Sequence, residues 1–478
     1  MREIQPGHDH RPQELAETAY DVIVLGAGST GENVADYAVR GGLTALLVES
    51  ELVGGECSYW ACMPSKALLR PVEALGDARA VAGAREAATG RLDVGAVLAR
   101  RDSFTSGWSD DGQAQWVDGA GIALARGHGR ITAERTVEVD GVTCTARHAV
   151  VVCTGSSAAL PPVDGLADCR PWTAREGTSA GEVPRRLAVL GGGVVGVELA
   201  TAWHALGSEV VVLERSDQLL ANQEPEVGRR IATLLRARGI DVRTGVAVTR
   251  ASRDAQVLLT LDDGSTVEAD EVLVAAGRRP NTDDLGLEVL GLEAGTWLQV
   301  DDTLKVDGFD WLYAAGDVNH RALLTHMGKY QARVAGTVIA ARAQGREVTG
   351  PWTEDAATAD HASVPQVVFS DPPVASVGLT EAAARKQGLD VTVVSYELGS
   401  VAGGSLYADD NPGWACLVVG GDHLVGATFF GPGVTEMVHA ATVAIVGQVP
   451  LQRLWHAVPS YPTQTEVWLR LLDQLPHG

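Results

Sequence analysis

The chain has 478 residues, six cysteines and a formal net charge of −23. That charge argues against a nucleic-acid-binding protein, which would carry a basic patch, and against docking on anionic membranes. No apolar run reaches the roughly 18 residues that span a bilayer, and the polar segment 1–20 lacks the apolar region of a signal peptide. We therefore expect a cytoplasmic protein of about three domains, with a loose leader.

The first predicted element is a buried strand over residues 21–25, which runs directly into the turn Gly26-x-Gly28-x-x-Gly31. A helix and a second strand follow, and that strand ends in Glu49. In such a unit the first glycine makes the turn, the second lets the backbone approach a pyrophosphate, and the third lets helix and strand pack closely. The acid about 20 residues further on binds a ribose hydroxyl. The pattern therefore predicts a dinucleotide site.

Next come two cysteines, Cys57 and Cys62, between a glycine pair and Pro64-Ser65-Lys66. A disulfide needs Cα atoms about 4.4–6.8 Å apart, so a bond between residues this far apart in a helix requires an irregular first turn. Pro64 suits a helix entrance, and Lys66 is a cation that can stabilise a thiolate there. The segment indicates either redox chemistry or two unrelated buried cysteines, which are common core residues.

Between residues 70 and 160 the sequence predicts helices and then strands, after which the glycine pattern returns. Gly191 follows Gly26 by 165 positions, and Glu214 follows Glu49 by the same 165. The repeat supplies a second turn, Gly191-x-Gly193-x-x-Gly196. Two dinucleotide sites imply electron transfer between two dinucleotides, most simply a flavin and a nicotinamide. The alternative is a duplicated fold that binds only one ligand.

Three further apolar strands end at a glycine, where the backbone can approach a ligand. They lead into Thr154-Gly155, Gly277 and Gly316-Asp317. Asp317 either binds a sugar or ribityl hydroxyl or caps the helix that follows. From about residue 350 the pattern is α+β without a glycine turn, which predicts a further domain. No motif predicts a bound metal ion.

Together these motifs resemble the flavin-dependent pyridine nucleotide–disulfide oxidoreductases, a family that includes dihydrolipoamide dehydrogenase, glutathione reductase and mercuric reductase. The resemblance runs from about residue 20 to the end. It implies an α/β fold with two Rossmann-like dinucleotide-binding domains, for FAD and NAD, and a C-terminal α+β dimerisation domain. The implied boundaries are a leader over 1–20, FAD-binding segments over 21–160 and 281–349, an NAD(P)-binding domain over 161–280 and an interface domain over 350–478.

The resemblance also implies roles for the motif residues. FAD would be held by Gly26, Gly28, Gly31, Glu49, Asp317, Thr325 and His326. The nicotinamide dinucleotide would be held by Gly191, Gly193, Gly196 and Glu214. Thr154, Gly155 and Gly277, at the ends of their strands, would also bind cofactor. Cys62 would be the thiolate facing the flavin and Cys57 the sulfur that attacks substrate, Lys66 would pair with Glu198 beside the flavin, and the enzyme would be a homodimer. Glu214 favours NADH because a carboxylate repels the 2′-phosphate of NADPH, but Arg215 follows it and leaves NADPH possible.

The chain departs from the family at two places. Where the disulfide reductases carry His-Pro-Thr-x-x-Glu, with the histidine protonating the leaving thiolate, this chain runs from Tyr461 to Glu466. Tyrosine has a reference pKa near 10, against about 6.5 for histidine, so Tyr461 is a poor base that can still donate a proton. His456 is an alternative acid–base, although it is more simply a surface or interface residue. Tyr59 and Trp60, before the second cysteine, either narrow the substrate side or pack in the core.

The sequence therefore predicts an NAD(P)H oxidoreductase that passes electrons through FAD and Cys57–Cys62 to a small acceptor. The missing histidine disfavours a plain dihydrolipoamide or glutathione role and favours a quinone, an oxidised sulfur species or a metal ion. Mercuric reductases share the tyrosine, but their C-terminal cysteine pair is absent from residues 467–478. One alternative is a quinone reductase or transhydrogenase that acts at the flavin with an idle disulfide. Another, outside enzymes, is a flavoprotein redox sensor.

Overall fold

The structure is a computed structural model that describes residues 11–15 and 17–475. Residues 1–10 and 16 of the predicted leader lie outside the described residues, and the first strand already begins at Ala19. The chain forms two compact units. Unit 1 comprises the chain up to Pro64, Asp102–Ala159 and Gly277–His361, and unit 2 comprises Ser65–Arg101, Leu160–Ala276 and the chain from Ala362. The finer domain boundaries given above stay a prediction.

The strands are numbered in chain order. They are β1 Ala19–Leu25, β2 Ala45–Glu49, β3 Ala123–Arg126, β4 Gly129–Ala133, β5 Thr136–Val139, β6 Val142–Val152, β7 Ser156–Ala158, β8 Arg186–Leu190, β9 Glu209–Glu214, β10 Asp241–Thr244, β11 Val248–Arg253, β12 Val257–Leu261, β13 Thr266–Ala269, β14 Glu271–Val274, β15 Arg278–Pro280, β16 Leu312–Ala314, β17 Pro365–Val368, β18 Val374–Gly378, β19 Val391–Glu397, β20 Trp414–Gly420 and β21 His423–Phe430.

The α-helices are numbered in the same way. They are α1 Ser29–Arg40, α2 Gly55–Tyr59, α3 Cys62–Arg79, α4 Ala84–Ala87, α5 Val94–Phe104, α6 Asp111–Gly119, α7 Ala174–Ser179, α8 Val194–Ala205, α9 Pro225–Ala237, α10 Thr325–Ala343, α11 Ala359–Ala362, α12 Glu381–Lys386, α13 Ala402–Tyr407, α14 Val438–Val446, α15 Leu451–Leu454 and α16 Val467–Leu472. No helix in the described part of the chain combines the length and the apolarity needed to cross a bilayer.

Unit 1 is built on a seven-stranded sheet in the order β3-β2-β1-β6-β5-β4, with β16 also paired to β6. The pairs β1–β2, β1–β6, β2–β3 and β6–β16 are parallel, and β4–β5 and β5–β6 are antiparallel. Ile23 and Val24 at the centre of β1 are fully buried on opposite faces, as expected for a parallel strand covered on both sides. Helices α1 and α10 pack with Val22 and Val24 in one core.

Unit 2 contains three sheets. A parallel sheet in the order β10-β9-β8-β14 carries the second glycine turn, and β11-β12-β13 form a small antiparallel sheet. The C-terminal part folds into an antiparallel sheet in the order β17-β18-β21-β20-β19, against which α14 and α16 pack in one apolar core. The predicted α/β class is confirmed, because each glycine turn connects a parallel strand to a helix. The predicted α+β character after residue 350 is also present.

Candidate active site

The first and third glycines of the two turns have the same geometry. Gly26 has a φ of +96° and Gly191 a φ of +109°, so both occupy the left-handed region that favours glycine. A Cβ at Gly31 would overlap the carbonyl oxygen of Gly26, and a Cβ at Gly196 would overlap that of Gly191. Helices α1 and α8 can start this close to the preceding strands only because the third glycine has no side chain.

The middle glycines, Gly28 and Gly193, have ordinary φ values of −68° and −76°. A Cβ at either position would meet no protein atom within 4 Å. The fold itself therefore does not require glycine at these two positions. The open space lies in front of a helix N-terminus, where backbone N–H groups favour a phosphate, and both turns fit a dinucleotide.

Glu49 and Glu214 hold the turns through backbone hydrogen bonds. The N–H groups of Ala27 and Glu51 donate to the two carboxylate oxygens of Glu49 at 2.7 and 2.8 Å. Glu214 accepts the equivalent pair, 165 positions later, at 2.5 and 2.6 Å. Burial raises the pKa of Glu49, and the two N–H donors oppose that rise. Each acid therefore fixes its own glycine turn, a contact that the sequence reasoning did not foresee.

Asp317 lies just after β16, and its carboxylate accepts a hydrogen bond from Ser156 Oγ at 2.5 Å. Arg278 Nε lies 3.6 Å from the same carboxylate and donates to Ser156 Oγ at 2.6 Å. The short 3₁₀ helix that Asp317 opens has no side-chain cap, so Asp317 faces these partners instead. Ser156 and Arg278 were missed by the sequence reasoning, although they directly follow the predicted Gly155 and Gly277.

Thr154 and its neighbours form the rest of this edge of unit 1. Thr154 Oγ1 donates to the carbonyl oxygen of Asn281 at 2.8 Å, and Asn281 Nδ2 donates back to the Thr154 carbonyl at 2.9 Å. Gly155 and Gly277 have φ values of +71° and +143°, and a Cβ at either would enter open space. The predicted approach of a ligand to these glycines is therefore sterically available.

A buried polar network supports the turn that carries Asp317. Gln331 on α10 accepts hydrogen bonds from Gly316 N–H and Asn319 Nδ2, both at 2.8 Å, and donates to Asp360 Oδ2 at 2.9 Å. Burial raises the pKa of Asp360 to about 6, although Arg321 nearby opposes the rise. Sequence reasoning missed this network because its members are polar residues without a motif.

The predicted cysteine pair lies at the junction of two helices. Cys57 is in α2, Cys62 opens α3, and Trp60 between them has a non-helical φ of −135°, so the predicted irregular turn is present. Both side chains are half-buried thiols that are not joined in a disulfide, and Thr325 Oγ1 lies 3.1 Å from Cys62 Sγ. Cys62 raises the pKa of the Cys57 thiol through a hydrogen bond, and burial raises it further, while Thr325 and Lys329 oppose the rise. The pKa of the Cys57 thiol therefore lies above the ordinary value of a cysteine.

Thr325 and His326, the predicted flavin-facing residues, are the first two residues of α10. The hydroxyl of Thr325 contacts the Cys62 sulfur, which places the start of α10 beside the cysteine pair. His326 is exposed. The sequence located this helix start correctly but gave no sign of the contact between the hydroxyl and the sulfur.

Tyr59 and Trp60 pack in a small core. Their exposed fractions are 1% and 6%, and they cluster with Leu52 and Trp108. The Tyr59 hydroxyl donates to the Val53 carbonyl at 3.1 Å, and Trp108 Nε1 donates to the Tyr59 carbonyl at 3.1 Å. Of the two alternatives, the structure shows core packing, which fixes α2 and with it the position of Cys57.

In unit 2, Lys66 Nζ lies 2.7 Å from Glu198 Oε2 on α8, as the resemblance implies. Glu198 is buried, and its second carboxylate oxygen accepts a hydrogen bond from Phe369 N–H at 2.9 Å. Lys66 Nζ also lies 4.9 Å from the centroid of the Phe369 ring. The ammonium group is therefore bound to a carboxylate and an aromatic ring.

The C-terminal candidates for acid–base chemistry do not contact one another. Tyr461 is 77% exposed and makes no hydrogen bond with any residue that the structure describes. Glu466 accepts a hydrogen bond from Gly403 N–H at 3.0 Å, which attaches the tail to α13. His456 is exposed, and its ring contacts Trp455 edge-on at 5.1 Å. Among residues 11–15 and 17–475, no group of three or more His, Cys, Asp or Glu is arranged to hold a metal ion.

The chain contains two glycine turns that fit a dinucleotide, residues 26–31 (the first cradle) and residues 191–196 (the second cradle), and a pair of half-buried thiols. These features together define a class of protein: a redox enzyme that couples two dinucleotides to thiol chemistry. Residues 20–345 match the family described as pyridine nucleotide-disulphide oxidoreductase, and residues 364–471 match its dimerisation domain. The chain belongs to the pyridine nucleotide-disulphide oxidoreductase family. It is therefore a flavoprotein oxidoreductase of the disulfide reductase type that uses FAD and NAD(P)H, and the dimerisation domain supports a homodimer.

Similar proteins of this family span nearly the whole chain. A dihydrolipoyl dehydrogenase of Thermus scotoductus is 33% identical over 95% of this chain and 97% of its own length. A mercuric reductase of Staphylococcus aureus is 29% identical over 97% of this chain and 84% of its own length. Among solved structures, a Cu(II) complex of the HOCl-induced flavoprotein disulfide reductase RclA from Escherichia coli superposes with a TM-score of 0.82, at 22% identity, over 96% of this chain and all of that one. This last likeness concerns the fold.

A single methyl group added at one of the two open glycine positions, Gly28 or Gly193, should weaken the binding of one cofactor and leave the other cofactor unaffected. We expect Gly28→Ala to lose FAD during purification, and Gly193→Ala to keep FAD but to raise the KM for NADH at least tenfold, because each Cβ fills only the space of a pyrophosphate. Flavin absorbance per chain and steady-state kinetics measure the two effects. Gly155→Ala is not a suitable control because its φ is positive, whereas Gly112→Ala, with open space and an ordinary φ, is. Retention of FAD by Gly28→Ala would contradict the assignment of the first cradle.

Proposed function

We propose that this enzyme passes electrons from NADH through FAD and the Cys57–Cys62 pair to a small disulfide-like acceptor. The observation that carries the proposal is the cysteine pair itself: two half-buried thiols at a helix junction, with the Thr325 hydroxyl 3.1 Å from Cys62 Sγ. A pair of merely structural core cysteines would be fully buried, as Cys144, Cys153 and Cys416 are in this chain.

The cofactor assignments rest on the two cradles. We place FAD in the turn of Gly26, Gly28 and Gly31, with Asp317 toward its ribityl chain, and NADH in the turn of Gly191, Gly193 and Gly196. When bound, FAD transfers an electron pair between the nicotinamide and the cysteine pair. Glu214 supports NADH over NADPH, because its carboxylate is held in place by two backbone N–H groups and repels a 2′-phosphate. Arg215, the next residue, is exposed. Turnover with NADPH is therefore the matched comparison for turnover with NADH.

The protein's own groups set the order of events at the two sulfurs. We propose Cys62 as the thiolate, because its hydrogen bond and burial raise the pKa of Cys57 and the Thr325 hydroxyl can donate to a thiolate at Cys62. Cys57 is then the sulfur left to attack an acceptor. The Lys66–Glu198 pair is proposed to act beside the flavin, as the family resemblance implies.

The choice of acceptor depends on the residue that stands at the position of the family's histidine. A tyrosine stands at the position of the family's histidine, and it is 77% exposed, so acceptors whose leaving group needs little help are favoured. A soft metal ion is the second candidate, because adjacent thiolates are soft ligands. A mercuric reductase is among the relatives, and the structurally similar RclA has been captured with Cu(II).

The homodimer is proposed to form through the C-terminal part of the chain. That part exposes a series of large apolar side chains: Leu406 69%, Val443 55%, Trp455 54%, Val458 78% and Tyr461 77%. Exposed apolar surface of this kind commonly marks an interface. We further propose a cytoplasmic location, in keeping with the few cysteines, which are present as thiols.

An anaerobic NADH titration, followed by absorbance, tests the electron route. We expect uptake of two equivalents, with the long-wavelength band of a thiolate beside oxidised flavin after the first. Bleaching of the flavin by one equivalent, without that band, would show that the cysteines are idle and would favour a quinone reductase or transhydrogenase. Flavin reduction too slow to support turnover would favour a redox sensor.

A further inference from the structure

Three helix starts converge at the cysteine pair in unit 1. Gly28, which precedes α1, forms a β-bridge with Gly54, which precedes α2. A Cβ at Gly328 of α10 would overlap Thr30 Oγ1 of α1, and the first residue of α10, Thr325, contacts Cys62. The first turns of α1, α2 and α10 therefore meet at one place.

Glu32 and Lys329 stand at that place, on α1 and α10. Lys329 adjoins Gly328, which faces Thr30, and it acts electrostatically on both Glu32 and Cys57, lowering the pKa of each. Glu32 Oε1 is buried and makes no hydrogen bond with any described residue. In the second glycine unit the position 165 later is Val197, a fully buried core residue. A carboxyl group at this position is thus not a requirement of the glycine turn.

Cys57 needs a proton acceptor, and the usual one is missing. Its thiol holds its proton strongly, because a thiolate at Cys62 and burial both raise its pKa. Tyr461, at the position of the family's histidine, is a phenol and is largely exposed. Glu32 is half-buried, has Lys329 as an electrostatic neighbour in common with Cys57, and carries an oxygen that makes no hydrogen bond with any described residue.

We propose that Glu32, beside Lys329, is the proton acceptor and donor for Cys57 in the reduction of a disulfide acceptor. The inference rests on the proposed function. Glu32 lies outside the C-terminal segment that contains Tyr461, and it would replace the missing histidine as the acid–base group.

Reduction of the acceptor proceeds through two thiol–disulfide exchanges. Cys57 Sγ bonds to one sulfur of the acceptor disulfide, and the acceptor S–S bond breaks with its electron pair on the departing sulfur. Glu32, as carboxylate, takes the Cys57 thiol proton and gives it to the departing sulfur, which leaves as a thiol. The Cys62 thiolate then attacks Cys57 Sγ, restoring the Cys57–Cys62 disulfide, and the second acceptor sulfur leaves as a thiolate that solvent protonates. The cysteine pair loses two electrons to the acceptor, and NADH replaces them through FAD.

The environment of Glu32 suits a group that exchanges a proton near neutrality. Burial raises its pKa to about 8, Glu49 on β2 adds to the rise, and Lys329 on α10 opposes it. Burial is the main cause of the raised pKa of the Tyr59 phenol on α2, and the charge of Glu32 adds to that rise. Since the carboxylate is the active form, disulfide reduction should rise with pH through about 8. An acid–base group is most effective when its pKa lies near the operating pH.

The test uses purified holoenzyme reduced beforehand and mixed anaerobically with bis(2-hydroxyethyl) disulfide or with menadione. We expect Glu32→Gln to slow reoxidation by the disulfide about 10²–10⁴-fold, the usual cost of losing an acid–base group, and to abolish the rise near pH 8. Reoxidation by menadione, which takes electrons at the flavin, should stay within threefold of wild type. Lys329→Met should move the rise to higher pH, because it removes the cation that lowers the pKa of Glu32.

Asp36→Asn is the matched control, because Asp36 lies one turn further along α1 and is paired with Arg40. It should behave as wild type with both acceptors. Equal disulfide rates and pH profiles for Glu32→Gln and wild type would overturn this inference alone. A wild-type enzyme that reacts with menadione but with no disulfide would overturn the proposed disulfide route and this inference with it. Should Glu32→Gln fail to fold, an unmoved pH profile in Lys329→Met would overturn the inference.

Discussion

Enzyme in which Cys57 and Cys62 are both serine should lose NADH-dependent disulfide reduction by about 10⁴-fold or more, in the range seen when a catalytic nucleophile is removed. A serine hydroxyl can neither form the S–S bond nor carry the electron pair. Flavin reduction by NADH and menadione turnover should remain near wild type, because neither needs the sulfurs. Stopped-flow absorbance and steady-state turnover with both acceptors measure the two outcomes.

The single variants should divide the roles of the two sulfurs. Cys57→Ser should keep the long-wavelength band of a thiolate beside flavin, and Cys62→Ser should lose it, because Cys62 is the proposed thiolate and the pKa of Cys57 is raised. Cys144→Ala, buried in β6, is the control for removal of a sulfur elsewhere in unit 1. Disulfide turnover within tenfold of wild type in the double serine variant would refute the dithiol route and leave the flavin as the site of reduction.

The sequence predicted the features that depend on residues close to one another along the chain. The steric need for Gly31 arises from the carbonyl of Gly26 in the same turn, and the irregular turn around Trp60 follows from the spacing of Cys57 and Cys62. The repeat at 165 positions also extends to the carboxylate contacts of Glu49 and Glu214, although only their identity, and not their bonding, was visible.

Contacts between residues distant in sequence were not predictable in the same way. The Cys62–Thr325 contact joins residues 263 positions apart, and the burial of Tyr59 depends on Trp108, 49 positions away. Propensity and spacing carry no information on such pairs, so Tyr59 and Trp60 stayed ambiguous until the packing was known. Glu32 did leave a signal, since the second copy of the unit has valine at the equivalent position.

The Lys66–Glu198 ion pair should contribute to the free energy of unfolding. We expect Lys66→Met to lower the free energy of unfolding by roughly 1–3 kcal/mol, the cost of leaving a buried acceptor without its partner, because Glu198 is buried whereas the Lys66 side chain is 33% exposed. Glu198 is buried and would keep only the hydrogen bond from Phe369 N–H. The loss of the cation over the Phe369 ring acts in the same direction. Urea unfolding of wild type and variant measures the difference.

Arg70→Met is the matched control on the same helix, because Arg70 pairs with Glu73 at 2.8 Å but is 54% exposed. Exposed pairs contribute only about 0–1 kcal/mol, so this variant should unfold almost as wild type does. The double variant Lys66→Met/Glu198→Leu should recover most of the lost stability, since apolar replacement of both partners of an ion pair is often neutral. If Lys66→Met unfolds like Arg70→Met, the Lys66–Glu198 pair does not stabilise unit 2. The pair would then act only in its proposed role beside the flavin. The rate of flavin reduction by NADH in Lys66→Met measures that role.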